Sequence, residues 1–167
     1  MLEIIKYPNK ILRQKSKKIK NNQDVKIKQL GEELLETMLA KDGLGLAAPQ
    51  VGQNVNIIAV RLSNKPGLFI NPKIFWKSWF KKNVIEEGCL SFPDIFGLIK
   101  RPKVIWLKYT DKNGSSKINK FQGLLATVIQ HEIDHLRGKL FIDRIFKYTK
   151  GENKVKELRE RARFDER

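Results

Sequence analysis

The chain has 167 residues, of which 41% are apolar, enough to bury one core without disulfides and too apolar for a disordered chain. Lys and Arg number 34 against 18 Asp and Glu, a net charge of +16, and no apolar run approaches the ~20 residues that span a bilayer, which excludes a membrane bundle. The single cysteine, Cys89, excludes an internal disulfide and with it that argument for secretion. The charge permits contact with nucleic acid, a ribosome or an anionic surface. Its lysines, however, are scattered along the chain beside many Asn and Ile, which reads as compositional bias with a solvated surface. A dedicated nucleic-acid site would cluster Arg with aromatics.

Residues 6–20 form a Lys-rich lead-in with a turn at Pro8, anchored by Ile11 and Leu12. Asp24 is placed to cap a helix over about 25–41, in which Ile27, Leu30, Leu34 and Met38 recur at helical spacing and Asp42-Gly43 ends the run. The stretch from Gly43 to Gly52 reads as a tight connection rich in small residues. Strands are expected over 55–62, 68–71 and 103–110, and, after the turn Asp111-Lys112-Asn113-Gly114, near 116–121. The segment from Gly123 to Arg137 is apolar nearly all round, so its helix is expected to be buried, with Gly138 at its C′ position. Val155, Leu158 and Ala162 space a last, solvated helix over about 151–163. Strands followed by a buried helix predict an α+β fold. The domain organisation expected is one domain over 1–167, with about 145–167 as a C-terminal helical extension.

The chemistry concentrates at His131-Glu132-Ile133-Asp134-His135. Positions four apart share a helical face, so both imidazoles can reach one ion, while Glu132 stands beside it to handle protons. These are the only two histidines in the chain. An apolar helix does not bury two imidazoles and two carboxylates without partners. A catalytic metal site takes a third protein ligand and keeps one position open. With no histidine left, that ligand is Cys89, Asp134 or a glutamate. Two imidazoles and a thiolate would suit zinc or iron alike. The stretch Gly43-Leu44-Gly45-Leu46-Ala47-Ala48-Pro49-Gln50 lacks the Lys-Ser/Thr of a phosphate loop, and Gln50 could aim an amide into a site.

Three motifs in order resemble the peptide deformylase family: Gly-x-Gly-apolar-Ala-Ala-x-Gln at 43–50, Glu-Gly-Cys-x-Ser at 87–91 and Gln-His-Glu-x-Asp-His at 130–135. The flanks Asn71-Pro72, Arg101-Pro102, Leu140-Phe141 and Asp143-Arg144 are similar too. The resemblance implies the peptide-deformylase-like fold, with sheets packed around a central metal-binding helix and a C-terminal helix. It implies that Cys89, His131 and His135 hold one divalent metal, Fe(II) in the native protein, with zinc or nickel able to occupy the site. It implies that a metal-activated water attacks the formyl carbon of N-terminal formyl-methionine on new polypeptides and releases formate. Glu132 is then the general base and acid, and the Gln50 side chain and Leu90 N–H stabilise the oxyanion. Gly45 and Gly88 flank the substrate backbone, and Leu44, Ile85, Glu87, Leu124, Thr127, Val128 and His131 wall the methionine pocket. The implied partners are formyl-methionyl nascent peptides and the ribosome near its exit tunnel, with no specific DNA and no membrane. The compartment expected is the bacterial cytoplasm, or an organelle if a transit peptide has been removed.

The chain departs from the family pattern in two places. The loop after Ser91-Phe92-Pro93 often carries an Arg; here it reads Asp94-Ile95-Phe96-Gly97. The usually more polar segment 74–82 holds Phe75, Trp76, Trp79 and Phe80, whose partial exposure would mark a self-association or ribosome-facing surface. Two other functions share some of these features. A zinc peptidase has His-Glu-x-x-His but usually a His or Glu third ligand, and an inactive ribosome- or RNA-binding relative would explain the charge but none of the motifs.

Overall fold

Asp24 caps the first helix, α1 (Val25–Ala40), its Oδ1 accepting from the Lys26 N–H at 2.9 Å. The computed structural model describes residues 1–63 and 65–164. α1 buries Gly31, Leu34, Thr37 and Met38. A β-carbon on Gly31 would stand 2.5 Å from Leu68 Cδ2, so the helix rests almost directly on the sheet beneath it. The Thr37 hydroxyl accepts from the Leu2 N–H at 2.8 Å and fastens the chain's N-terminal segment to the helix.

The strands form two antiparallel sheets. One has five strands in the order β1 (Gly45–Ala47), β2 (Ile57–Val60), β3 (Gly67–Lys77), β6 (Val104–Thr110), β7 (Ser116–Gln122). The other has three: β4 (Lys82–Cys89), β5 (Phe92–Pro102), β8 (Lys147–Lys150). Between the sheets runs α2 (Gly123–Leu136), buried from Ala126 to Leu136. Ala126, Ile129, Ile133 and Leu136 pack on Ile58, Val60, Phe69, Ile105 and Leu107 of the five-stranded sheet. The polar side of α2 meets the three-stranded sheet through His131–Glu87 and Asp134–Arg101 contacts. Gly138, at φ 68°, donates its N–H to His135 O at 3.0 Å and closes the helix as expected of a C′ glycine. α3 (Glu152–Phe164) docks Val155 beside Phe92, Ile95 and Phe141. The architecture is the α+β arrangement of sheets around a central helix that the sequence implies. Among the described residues, no helix is long and apolar enough to cross a membrane.

Four local expectations are corrected. The connection at 43–52 contains β1 and a 3-10 turn over Ala48–Val51. The strand at 68–71 continues to Lys77 through a bulge at Asn71, whose φ is 51° and whose side chain bonds Ile19 N and O at 3.0 and 2.8 Å. The loop after Ser91 is the first half of β5, and 82–89 is a strand although its sequence shows no apolar alternation. In the expected helical extension of about 145–167, residues 147–150 pair with β5 as β8 before α3 begins; residues 165–167 lie outside the described residues.

Candidate metal centre and active-site cleft

Cys89 ends β4 and the two histidines sit one turn apart on α2, so the packing of α2 on β4 closes the cluster. One ligand atom from each of Cys89, His131 and His135 lies within 4.8 Å of the others. The Cys89 Sγ to His135 Nε2 distance is 3.3 Å. His131 Nδ1 lies 2.9 Å from Glu87 Oε2, which leaves Nε2 to face the cluster. Asp134, the sequence's alternative ligand, is turned away: its carboxylate is bound by Arg101 Nη1 at 2.7 Å and by Arg144 Nη2 at 2.8 Å.

A thiolate and two buried imidazoles in one cluster fit a divalent cation that favours sulfur and nitrogen, such as zinc or iron. A second observation agrees. Glu132 is buried beside the cluster and its Oε2 has no hydrogen-bond partner in the protein. Such an orphaned carboxylate oxygen needs a ligand, water or ion to satisfy it.

The electrostatics separate the two glutamates. Burial pushes the Glu132 carboxyl up to about 7, in the range where a carboxyl can both take and give a proton. Burial acts on Glu87 in the same direction, but hydrogen bonds from His131 and Arg101 outweigh it and hold Glu87 down at about 2. Burial and the neighbouring His131 and Arg101 charges push His135 well below the usual imidazole range, toward the neutral form a metal binds.

A cleft of about 510 Å³ opens over the cluster. It is lined by Leu44, Gly45, Gln50, Ile85, Glu87, Gly88, Cys89, Leu90, Leu124, Thr127, Val128, His131 and Glu132; His135 lies beneath, buried. Leu124, Thr127, Val128 and His131 present one face of α2 to it. The Gln50 amide is fixed in orientation: its Oε1 accepts from the Ala47 N–H at 2.8 Å, and its Nε2 lies 3.4 Å from both Cys89 Sγ and Ser91 Oγ. Lys6 Nζ donates to Leu90 O at 2.5 Å and holds the turn that carries the Leu90 N–H.

The sequence profile of the polypeptide deformylase family matches residues 1–151. A peptide deformylase of Chlorobium phaeobacteroides is 45% identical over 152 residues, which is 87% of this chain and 80% of that protein. The chain belongs to the polypeptide deformylase family. Among solved structures, the peptide deformylase of Ehrlichia chaffeensis superposes with a TM-score of 0.85 at 36% identity, covering 99% of this chain and 97% of that one. The Met-Ala-Ser-bound class I type b peptide deformylase of Acinetobacter baumannii superposes with a TM-score of 0.81 at 33% identity, covering 87% and 98%.

Against the family's three motifs, the fold adds residues to which sequence reasoning gave no role. Arg101 is buried and bridges Glu87, at 2.5 and 2.9 Å, to Asp134. It therefore ties β5 to both β4 and α2 behind the deformylase cluster. Its signal was the inward alternation Ile95, Gly97, Ile99, Arg101 along β5, where a cation must find buried partners. Phe96, over Gly88, and Asp94 join the cleft wall. In the 94–97 stretch, Asp94 pairs with Lys150 at 3.0 Å and Lys154 at 3.6 Å.

Proposed function

We propose that this cleft removes the formyl group from the N-terminal formyl-methionine of new polypeptides and releases formate. The observation that carries this reading is a buried Glu132, its carboxyl raised to about 7, beside a Cys-His-His cluster in a chain of the deformylase family. Cys89, His131 and His135 would hold the metal, Fe(II) in the native protein and zinc or nickel as substitutes. When bound, that metal lowers the pKa of a water and polarises the formyl carbonyl.

The chain's own residues do the rest. Glu132 takes a proton from the attacking water and returns it to the departing amine, and its carboxyl, raised to about 7 by burial, suits both transfers. The Gln50 amide N–H, aimed by the Ala47 N–H behind it, and the Leu90 N–H donate to the formyl oxygen as charge grows there. Ile85, Leu124, Thr127 and Val128 form the apolar recess for the methionine side chain. β1 ends the five-stranded sheet, so the backbone at Gly45 can pair with an extended peptide, and Gly88, with Phe96 packed over it, stands on the far side. The nascent-chain substrate argues for work near the ribosome's exit, in the bacterial cytoplasm or a formylating organelle.

The test compares two peptides with protein purified anaerobically and loaded with Fe(II) or nickel. Formyl-Met-Ala-Ser yields formate and free Met-Ala-Ser in equal amounts, and Met-Ala-Ser itself stays whole. Cleavage of Met-Ala-Ser by the same protein would instead assign the site to a peptidase.

A further inference from the structure

Side chains alternate across a strand, so β6 sorts its residues by face. Ile105 and Leu107 are buried toward α2, and Trp106 and Lys108 point to the opposite face. α1 covers that opposite face at the other end of the sheet, where Leu46 of β1, Ile57 and Ala59 of β2 and Leu68 and Ile70 of β3 pack with Leu34 and Met38. Beyond them, pairing across the strands sets Trp76 beside Trp106 and Lys120, and Lys73 beside Lys108. Phe75, in a bulge of β3, lies against Trp106 with ring centroids 6.5 Å apart. Phe75, Trp76 and Trp106 are 53%, 47% and 39% exposed, and the three lysines are exposed as well. β3, β6 and β7 contain no Asp or Glu. An acidic group approaches these strands at the β6–β7 turn, where Asp111 lies 3.8 Å from Lys117.

We infer that this end of the five-stranded sheet binds single-stranded nucleic acid. Unpaired bases stack on Phe75, Trp76 and Trp106, and Lys73, Lys108 and Lys120 meet the phosphates. Each part of the site has a reason. Exposed rings side by side mark a contact surface. Lysines without carboxylates on their own strands fit a polyanion, whereas an apolar protein face would leave them unpaired. The chain's +16 charge draws any polyanion in without reading its form, and the rings add the preference for unstacked bases. Phe75 and Trp76 also border a groove that reaches Gln130 and Arg137, but none of the three aromatic and three lysine residues lines the metal cleft, so occupancy leaves it open.

The experiment exploits the fact that the chain's three tryptophans are Trp76, Trp79 and Trp106, two on this face and one in the turn that leaves β3. A fluorescein-labelled single-stranded RNA of about 10 nucleotides is titrated into the metal-loaded protein, alongside the same sequence as a duplex. The single strand is expected to bind more tightly than the duplex and to quench tryptophan emission. Trp76→Ala with Trp106→Ala should weaken single-strand binding by about tenfold or more, with formate release unchanged. The ring-preserving pair Trp76→Phe and Trp106→Phe should keep most of the affinity, which separates lost stacking from lost folding. Lys73→Gln with Lys108→Gln should flatten the salt dependence. Equal affinity for duplex and single strand, or binding indifferent to the alanine pair, overturns the inference in favour of bulk charge. Binding to phosphatidylglycerol vesicles, or a dimer in sedimentation, without RNA binding overturns it in favour of a membrane or a second copy of the chain.

Discussion

Glu132 lies against the backbone of Gly45: a β-carbon built on Gly45 would stand 2.5 Å from Glu132 Oε1 and 2.8 Å from its Cδ and Cγ. The second glycine of the first motif is thus explained by the glutamate of the third, and the two meet only after α2 has packed against β1. Gly45→Ala should push the carboxyl out of place while leaving Cys89, His131 and His135 untouched. Formate release should fall by about a hundredfold or more, the usual worth of a positioned acid–base group, with metal content unchanged. Normal turnover in a variant that holds its metal would show that Glu132 does not need its place beside Gly45.

Arg101 holds two buried carboxylates at once, Glu87 and Asp134. Removing it leaves Asp134 only Arg144 and Glu87 only His131. Arg101→Met should lower unfolding stability by about 3–5 kcal/mol, the usual effect of breaking a buried ion pair from one side. Metal affinity should drop with it, because Glu87 orients His131. Urea unfolding of parent and variant tests the first part and competition with a chelator the second. A loss below about 1 kcal/mol, within the range of surface pairs, would contradict the bridge.

Most of the molecule's function was legible because three short motifs carry it. The helices were legible because Leu34 and Met38 in α1, and Val155 and Leu158 in α3, keep helical spacing. β4 and β5 were hidden for a physical reason. Lys82 to Cys89 alternates in burial, but its apolar Val84 and Ile85 are adjacent rather than alternating, and β5 carries Pro93, Asp94 and Gly97 where a strand signal would sit. Their pairing with each other, not their composition, makes them strands. The sheet face was half legible: Phe75 and Trp76 stood out in segment 74–82, but Lys73, Trp76, Trp106, Lys108 and Lys120 become neighbours only through register.

Leu124 opens α2 at the rim of the cleft, half exposed. Leu124→Trp should crowd the recess for the methionine side chain and raise KM for formyl-methionyl peptides, leaving metal content as it was. Steady-state kinetics with formyl-Met-Ala-Ser decide the point. An unchanged KM would move the methionine side chain away from this face of α2.

Stability in acid should depend on Asp143. Burial would raise its carboxyl, but hydrogen bonds from Arg13 and from the Leu140 N–H, with the Arg159 charge, hold it below the ordinary carboxylate value. A depressed carboxyl stabilises the fold above its unfolded pKa, and that contribution is lost as pH falls through the lowered, folded value. Asp143→Asn should therefore be less stable than the parent at neutral pH, with the gap closing in acid. Unfolding at pH 7 and at about pH 3 reads both limits; a gap that stays constant would remove Asp143 from the account of acid stability.

In the proposed deformylation Glu132 carries the proton beside the Cys89-His131-His135 cluster. The most direct measurement is formate release from formyl-Met-Ala-Ser by Glu132→Gln, with bound metal counted in the same sample. The variant should hold one metal per chain and release formate at about a hundredth of the parent rate or less. A metal-loaded Glu132→Gln protein with parental turnover would contradict that role for Glu132.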